Sequence, residues 1–118
     1  MAFPNPFPGN IARKMSNAEL MQALRHDSAG ELEAIFLYDA HYHATDDPAA
    51  KAILADIRDE EKVHVGELIT LMRYLDPKEA EFFFEGEEEV RELLEKLGLA
   101  KNSEIAPAEG PTVGSLVK

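Results

Sequence analysis

The segment Ala44-Thr-Asp-Asp-Pro48 decides the fold, because it separates two long stretches whose apolar residues recur every three or four positions. Asp47 followed by Pro48 is typical of a helix start, where aspartate caps free amide groups and proline needs no amide hydrogen. The preceding stretch begins at Ser16, which forms a Ser-x-x-Glu capping box with Glu19. A short connection between two long helices predicts an antiparallel hairpin.

The rest of the chain divides around this hairpin. Residues 1–15 form a Pro-rich arm, residues 16–98 the helical domain and residues 99–111 a flexible linker. Within the domain, Gly86 is expected to divide a short helix from a second one that Gly98 ends. No segment alternates polar and apolar residues as a strand does, so the fold class is all-α: an antiparallel hairpin plus short C-terminal helices.

Composition excludes several classes of protein. The 118 residues include 12 Lys and Arg against 23 Asp and Glu, a formal net charge of −11. Such a surface repels nucleic acid and anionic lipid, so we expect neither as a partner. The chain has no cysteine, which excludes disulfides, zinc thiolates and iron–sulfur clusters. No apolar run approaches the roughly 20 residues that span a bilayer.

Ionisable residues interrupt both apolar stripes near their middle. The first stripe contains Leu20, Leu24, Asp27 or Ser28, Glu31, Ile35, Tyr38 and Tyr42. The second contains Leu54, Ile57, Glu61, His64, Leu68 and Leu71. An unpaired charge inside a helix bundle costs several kcal/mol, so these groups need a partner or a metal ion.

The interruptions lie at the same height in the hairpin. Glu31 lies fifteen residues before Asp46 and Glu61 fifteen after it, with His64 one turn further on the same face. Two carboxylates and an imidazole suit Fe(II), Mn(II) or Zn(II). Two copies would supply four Glu and two His, the ligand set of a di-iron carboxylate site. The alternative is a buried Glu–His ion pair that fixes helix register.

Dimerisation would also complete the fold. A hairpin alone cannot bury an apolar stripe on both of its helices. We therefore expect a four-helix bundle that is completed only when two chains associate.

Several stretches resemble the encapsulated ferritins over about residues 20–75: Glu31-Leu-Glu-Ala-Ile-Phe-Leu-Tyr-Asp39, Asp46-Asp-Pro48, Ala52-Ile-Leu54 and Arg58-Asp-Glu-Glu-Lys-Val-His64. The resemblance implies that Glu31, Glu61 and His64 ligate a di-iron ferroxidase centre shared between two chains. It places Tyr38 beside the metals and Glu33 on the path by which metal enters. Gly30 and Leu37 depart from the family, where an acidic residue and a tryptophan are expected.

The C-terminal residues carry a second resemblance. Thr112, Val113, Gly114, Ser115 and Leu116 are similar to the peptide that docks cargo on the inner wall of an encapsulin shell. Residues 112–118 are therefore interpreted as an encapsulin-targeting peptide, whose apolar side chains enter pockets of the shell. A frayed terminus is the alternative.

Together these features predict a ferroxidase with iron as its metal. The resemblance implies a ring of homodimers, a decamer, enclosed in an encapsulin compartment of a prokaryotic cytoplasm. A rubrerythrin-like peroxide reductase, a metal-stapled helical oligomer without catalysis and an inert cargo adaptor remain open. His26 and Glu60 are expected to be exposed, and His41 and His43 are expected to be surface or interface residues and not a metal pair.

Overall fold

Three helices make up the computed structural model, which describes residues 11–99. Helix α1 spans Asn17–His43, α2 spans Pro48–Leu75 and α3 spans Pro77–Lys96. No strand occurs among the described residues, so the predicted all-α class is confirmed.

The ends of α1 and α2 follow the predicted capping residues. The Glu19 amide donates to the Ser16 hydroxyl (3.2 Å), and the Ser16 amide donates to the Glu19 carboxylate (2.9 Å). At the start of α2 the Ala50 amide donates to Asp47 (2.8 Å), with Pro48 in the first turn. These bonds satisfy amide groups that no helix can satisfy internally.

Helices α1 and α2 pack against each other as the expected hairpin. The buried core of the described residues consists of Met21, Leu24 and Met72, with Ser28 as its one buried polar residue. The Ser28 hydroxyl donates to the Leu24 carbonyl (2.8 Å), which explains how a polar side chain is accommodated there. Ser28 therefore continues the stripe of α1, whereas Asp27 is exposed.

The buried stripe of α2 ends at a different residue from the predicted one. Met72 is 2% exposed, while Leu71 is 41% exposed, so the buried position lies one residue further along α2. Neighbouring positions differ by about 100° around a helix, and the flexible thioether of methionine fills an irregular core well.

The predicted break at Gly86 is wrong, because α3 is continuous through this residue. A glycine lowers helix stability by about 1 kcal/mol relative to alanine, and the flanking glutamates are good helix formers that tolerate this cost. The predicted end at Gly98 is correct, because its φ is +70°. The Gly98 amide donates to the backbone carbonyl of Glu95 (3.0 Å), and the Leu99 amide donates to that of Leu94 (2.8 Å).

The chain separates into two compact units, with the hairpin ending at Asp76 and α3 beginning the second unit. The first ten residues of the predicted arm, nearly all of the linker and the targeting peptide lie outside the described residues. Among residues 11–99, no helix is both long and apolar enough to span a membrane.

Candidate metal centre

The hairpin brings together the three residues that the sequence singled out. Glu31 on α1 and Glu61 and His64 on α2 each offer one donor atom, and these atoms lie within 4.8 Å of one another. His64 Nδ1 lies 3.6 Å from Glu31 Oε2 and 3.5 Å from Glu61 Oε2. The level match counted from the turn therefore corresponds to real proximity across the two helices.

The spacing of these donors fits a divalent cation. Ligand bonds of about 2.1 Å place neighbouring donor atoms roughly 3.0–3.4 Å apart in octahedral or tetrahedral geometry. The two distances from His64 Nδ1 are slightly longer and leave room for an ion between the donors. Two carboxylates and one imidazole are also the donor chemistry that first-row metals accept.

One hairpin leaves this group open on one side. The side chains of Glu31 and Glu61 are 28% and 17% exposed, and that of His64 is 44% exposed. Three protein donors fill half of an octahedral shell, so further ligands have to come from beyond this three-residue group. The group is therefore an incomplete site that can face a second one.

A second set of contacts holds the two helices together nearer the turn. Arg58 on α2 donates to Asp39 on α1 (2.8 Å) and to its neighbour Asp59 (3.1 Å). A hydrogen bond from Arg58, and to a smaller extent one from Lys62, lowers the pKa of the Asp59 carboxyl. Lys51 Nζ donates to the Tyr42 carbonyl (2.9 Å), which anchors the last turn of α1 to α2.

Sequence reasoning missed this second set. Asp39 and Arg58 lie at unequal distances from the turn, so level counting does not pair them. The length of the arginine side chain bridges the difference in height. An arginine next to the apolar stripe was the available signal, since such a side chain needs a carboxylate nearby.

Two other predicted site residues lie on α1 with different exposure. Tyr38 is half-buried, and Glu33 is exposed. Glu33 is not among the acidic and histidine residues whose donor atoms converge. His26, His41, His43 and Glu60 are exposed as predicted, and His43 lies 3.6 Å from Asp39.

Large apolar side chains are exposed on the same two helices. Phe36 is 71% exposed and Ile53 60%. Leu32, Leu37, Val63, Leu71 and Tyr74 are also exposed. These exposed apolar side chains are candidates for burial against another protein surface.

Comparisons with known proteins relate the chain to ferritin-like proteins. Residues 18–80 match the family model described as ubiquinone biosynthesis protein COQ7. The chain is 38% identical, over 95% of both proteins, to the encapsulin nanocompartment cargo protein EncC of Myxococcus xanthus.

Two further relatives match in part. Identity is 39% to a ferritin-like–encapsulin shell fusion protein of Pyrococcus furiosus, over 75% of this chain and 26% of the fusion protein. Identity is 47% to an encapsulated ferritin-like protein of Rhodospirillum rubrum, over 43% of this chain and 36% of that protein.

The fold agrees with these similarities. The crystal structure of the encapsulated ferritin domain from Pyrococcus furiosus superimposes with a TM-score of 0.66 at 39% identity. The superposition covers 74% of this chain and 91% of that domain.

Proposed function

Because the chain belongs to the family of encapsulated ferritin-like cargo proteins, we propose that it is a ferroxidase, which oxidises Fe(II) to Fe(III) at a di-iron site between two subunits. The observation that carries this proposal is the convergence of Glu31, Glu61 and His64 within 4.8 Å. Fe(II) is the substrate, and the same residues hold the ion before and after it loses an electron.

A second copy of the chain completes the site. An isologous dimer duplicates every ligand, so two hairpins supply four carboxylates and two imidazoles. That is the set found in di-iron carboxylate bundles. The exposed apolar residues of the hairpin, Phe36 among them, support association with another chain, because burial against it would remove apolar surface from water.

The residues have distinct tasks in this reaction. Glu31 and Glu61 neutralise the charge of the bound cations. Each carboxylate also has two oxygens, so it is able to bridge two metal ions. His64 turns Nδ1 towards both carboxylates, so this nitrogen would bind the ion and leave Nε2 free to donate a hydrogen bond. Two Fe(II) ions give up two electrons to one dioxygen molecule. The reduced dioxygen takes up two protons and leaves as hydrogen peroxide.

Stopped-flow absorbance after mixing Fe(II) with the apo-protein in air tests the activity. We expect rapid Fe(III) formation that saturates near two irons per dimer, and its loss in Glu31→Ala, Glu61→Ala and His64→Ala. Glu60→Ala is the matched control, since Glu60 is an exposed carboxylate beside Glu61. Metal binding with oxidation no faster than in buffer would indicate a structural metal staple instead.

The family also supports a location inside an encapsulin compartment. Residues Thr112 to Leu116 are proposed as the docking peptide, in line with the cargo protein of Myxococcus xanthus that the chain matches. Deletion of residues 112–118 is expected to abolish loading into the shell while iron oxidation is retained. Loading that persists without these residues would contradict this assignment.

A further inference from the structure

The geometry of the metal group depends on how α1 and α2 are aligned along their length. Glu61 and His64 lie one turn apart on α2, so the helix itself fixes their separation. Glu31 comes from α1, and the 3.6 Å between its Oε2 and His64 Nδ1 depends on the relative height of the two helices. Each residue of a helix rises about 1.5 Å, so a slide by a single residue would change this spacing.

Arg58 joins the two helices one turn before Glu61. Its Nη1 donates to Asp39 of α1 (2.8 Å), and its Nε donates to Asp59 of α2 (3.1 Å). The Tyr42 ring flanks the same guanidinium, with its centroid 5.2 Å from Arg58 Cζ. The arginine side chain is 19% exposed. A planar guanidinium held at two edges ties the height of α2 to that of α1.

Apolar packing contributes little to the alignment at this position. In the described part of the chain, the buried apolar side chains lie towards the open end of the hairpin: Met21, Leu24 and Met72. The metal group lies between this core and the Arg58 bridge. Apolar burial has no preferred direction, whereas a hydrogen bond weakens steeply when its distance or angle changes. On the side of the turn, the bridge is therefore the contact that resists sliding.

We propose that Arg58 is a positioning residue for the metal group, because its bridge to Asp39 holds Glu61 and His64 at the height of Glu31. This inference rests on the proposed function, since the bound ion is the substrate Fe(II). A guanidinium has no lone pair for a metal, so Arg58 acts through α2 and not as a ligand.

Charge and position make opposite predictions for Arg58. Removal of a positive charge close to the site should tighten the binding of a cation. Loss of the alignment should weaken binding, because Glu31 and His64 would no longer converge. The sign of the change in the dissociation constant of Arg58→Gln therefore distinguishes the two effects.

Co²⁺ binding to the full chain tests the inference without iron oxidation. For Arg58→Gln we expect the dissociation constant to rise about tenfold, as when residues that orient metal ligands are removed. The visible d–d bands of the metal-saturated protein should also change, because they report the ligand geometry. A residue that only stabilised the fold would leave the bands of the saturated, folded protein unchanged.

Lys62→Gln is the matched control, because Lys62 is an exposed cation beside Glu61 that pairs with Asp59 on its own helix (3.3 Å). This variant loses the same charge and keeps the bridge, so we expect equal or tighter Co²⁺ binding and unchanged bands. The double variant Asp39→Asn, Arg58→Gln loses one charge of each sign. Electrostatics predicts nearly the original dissociation constant for it, whereas positioning predicts the same weakening as in Arg58→Gln.

Unchanged or tighter Co²⁺ binding in Arg58→Gln, or equal weakening in Lys62→Gln, would overturn the role of Arg58 and leave the proposed function intact. If circular dichroism shows that Arg58→Gln does not fold, Asp39→Asn provides the test, and unchanged bands in that variant would overturn the proposal. Co²⁺ binding that depends on Arg58, without iron oxidation, would contradict the ferroxidase and support the positioning role. Absence of Glu61-dependent Co²⁺ binding in the unsubstituted protein would overturn both.

Discussion

At the level of single residues, Glu19 and Glu31 show two uses of a carboxylate on the same helix. Glu19 is surrounded by donors: Arg13 and the Ser16 amide both bond to it. Glu31 faces another carboxylate and an imidazole. Glu19 caps the start of a helix in water, whereas Glu31 lies among groups that a cation would hold together.

The capping box predicts how α1 responds to acid. Hydrogen bonds lower the pKa of Glu19 from 4.5 to about 2. The bond from the Arg13 guanidinium has the largest effect, and the bond from the Ser16 amide the next largest. A lowered pKa means that the contribution of Glu19 to stability is fully present above about pH 4.5 and is lost as the pH falls through about 2. NMR chemical shifts of the first turn should report this loss.

Glu19→Gln is the control for that titration. The amide side chain keeps a hydrogen-bond acceptor but does not titrate, so the variant should show no transition of the first turn in this range. A first turn that titrates identically in both proteins would show that another carboxylate is responsible.

At the level of elements, two glycines of the second unit have opposite roles. Gly86 lies inside α3, and a Cβ added there would meet no atom within 4 Å. Gly98 follows the helix with a φ of +70°, which residues with a Cβ rarely adopt. Both glycines lie close to glutamate-rich segments in the sequence. The sequence alone therefore does not distinguish the glycine inside the helix from the one that ends it.

Alanine substitutions should separate these roles. Gly86→Ala is expected to stabilise the protein by about 0.5–1 kcal/mol, because alanine favours the helix and nothing blocks its methyl group. Gly98→Ala is expected to destabilise it by about 1 kcal/mol, because the left-handed conformation is strained. Urea unfolding followed by circular dichroism measures both, and changes of equal sign would contradict the assignment.

At the level of the whole molecule, the hairpin has little interior of its own. Among the described residues, the core comprises Met21, Leu24 and Met72, while Phe36 and Ile53 remain exposed. The open side of the metal group lies on this same hairpin. Association of two chains would therefore solve two problems together, by burying apolar surface and by completing the ligand set.

This reasoning predicts that metal and assembly are linked. Metal that binds only between two chains should stabilise the dimer, by about 2.7 kcal/mol when the metal concentration is 100 times its dissociation constant. Sedimentation velocity with and without Co²⁺ should show dimers at lower protein concentration when the metal is present. Glu61→Gln should remove this dependence, and a monomer under all conditions would contradict a shared site.

The sequence by itself determined the helical class, the hairpin, its caps and the level of Glu31 with Glu61, because these depend on local spacing along regular helices. Tertiary structure decided which of Asp27 and Ser28 is buried, the replacement of Leu71 by Met72 in the core and the bond between Arg58 and Asp39. Those outcomes depend on the rotation of each helix and on the reach of its side chains. Residue spacing does not fix either quantity until the two helices pack.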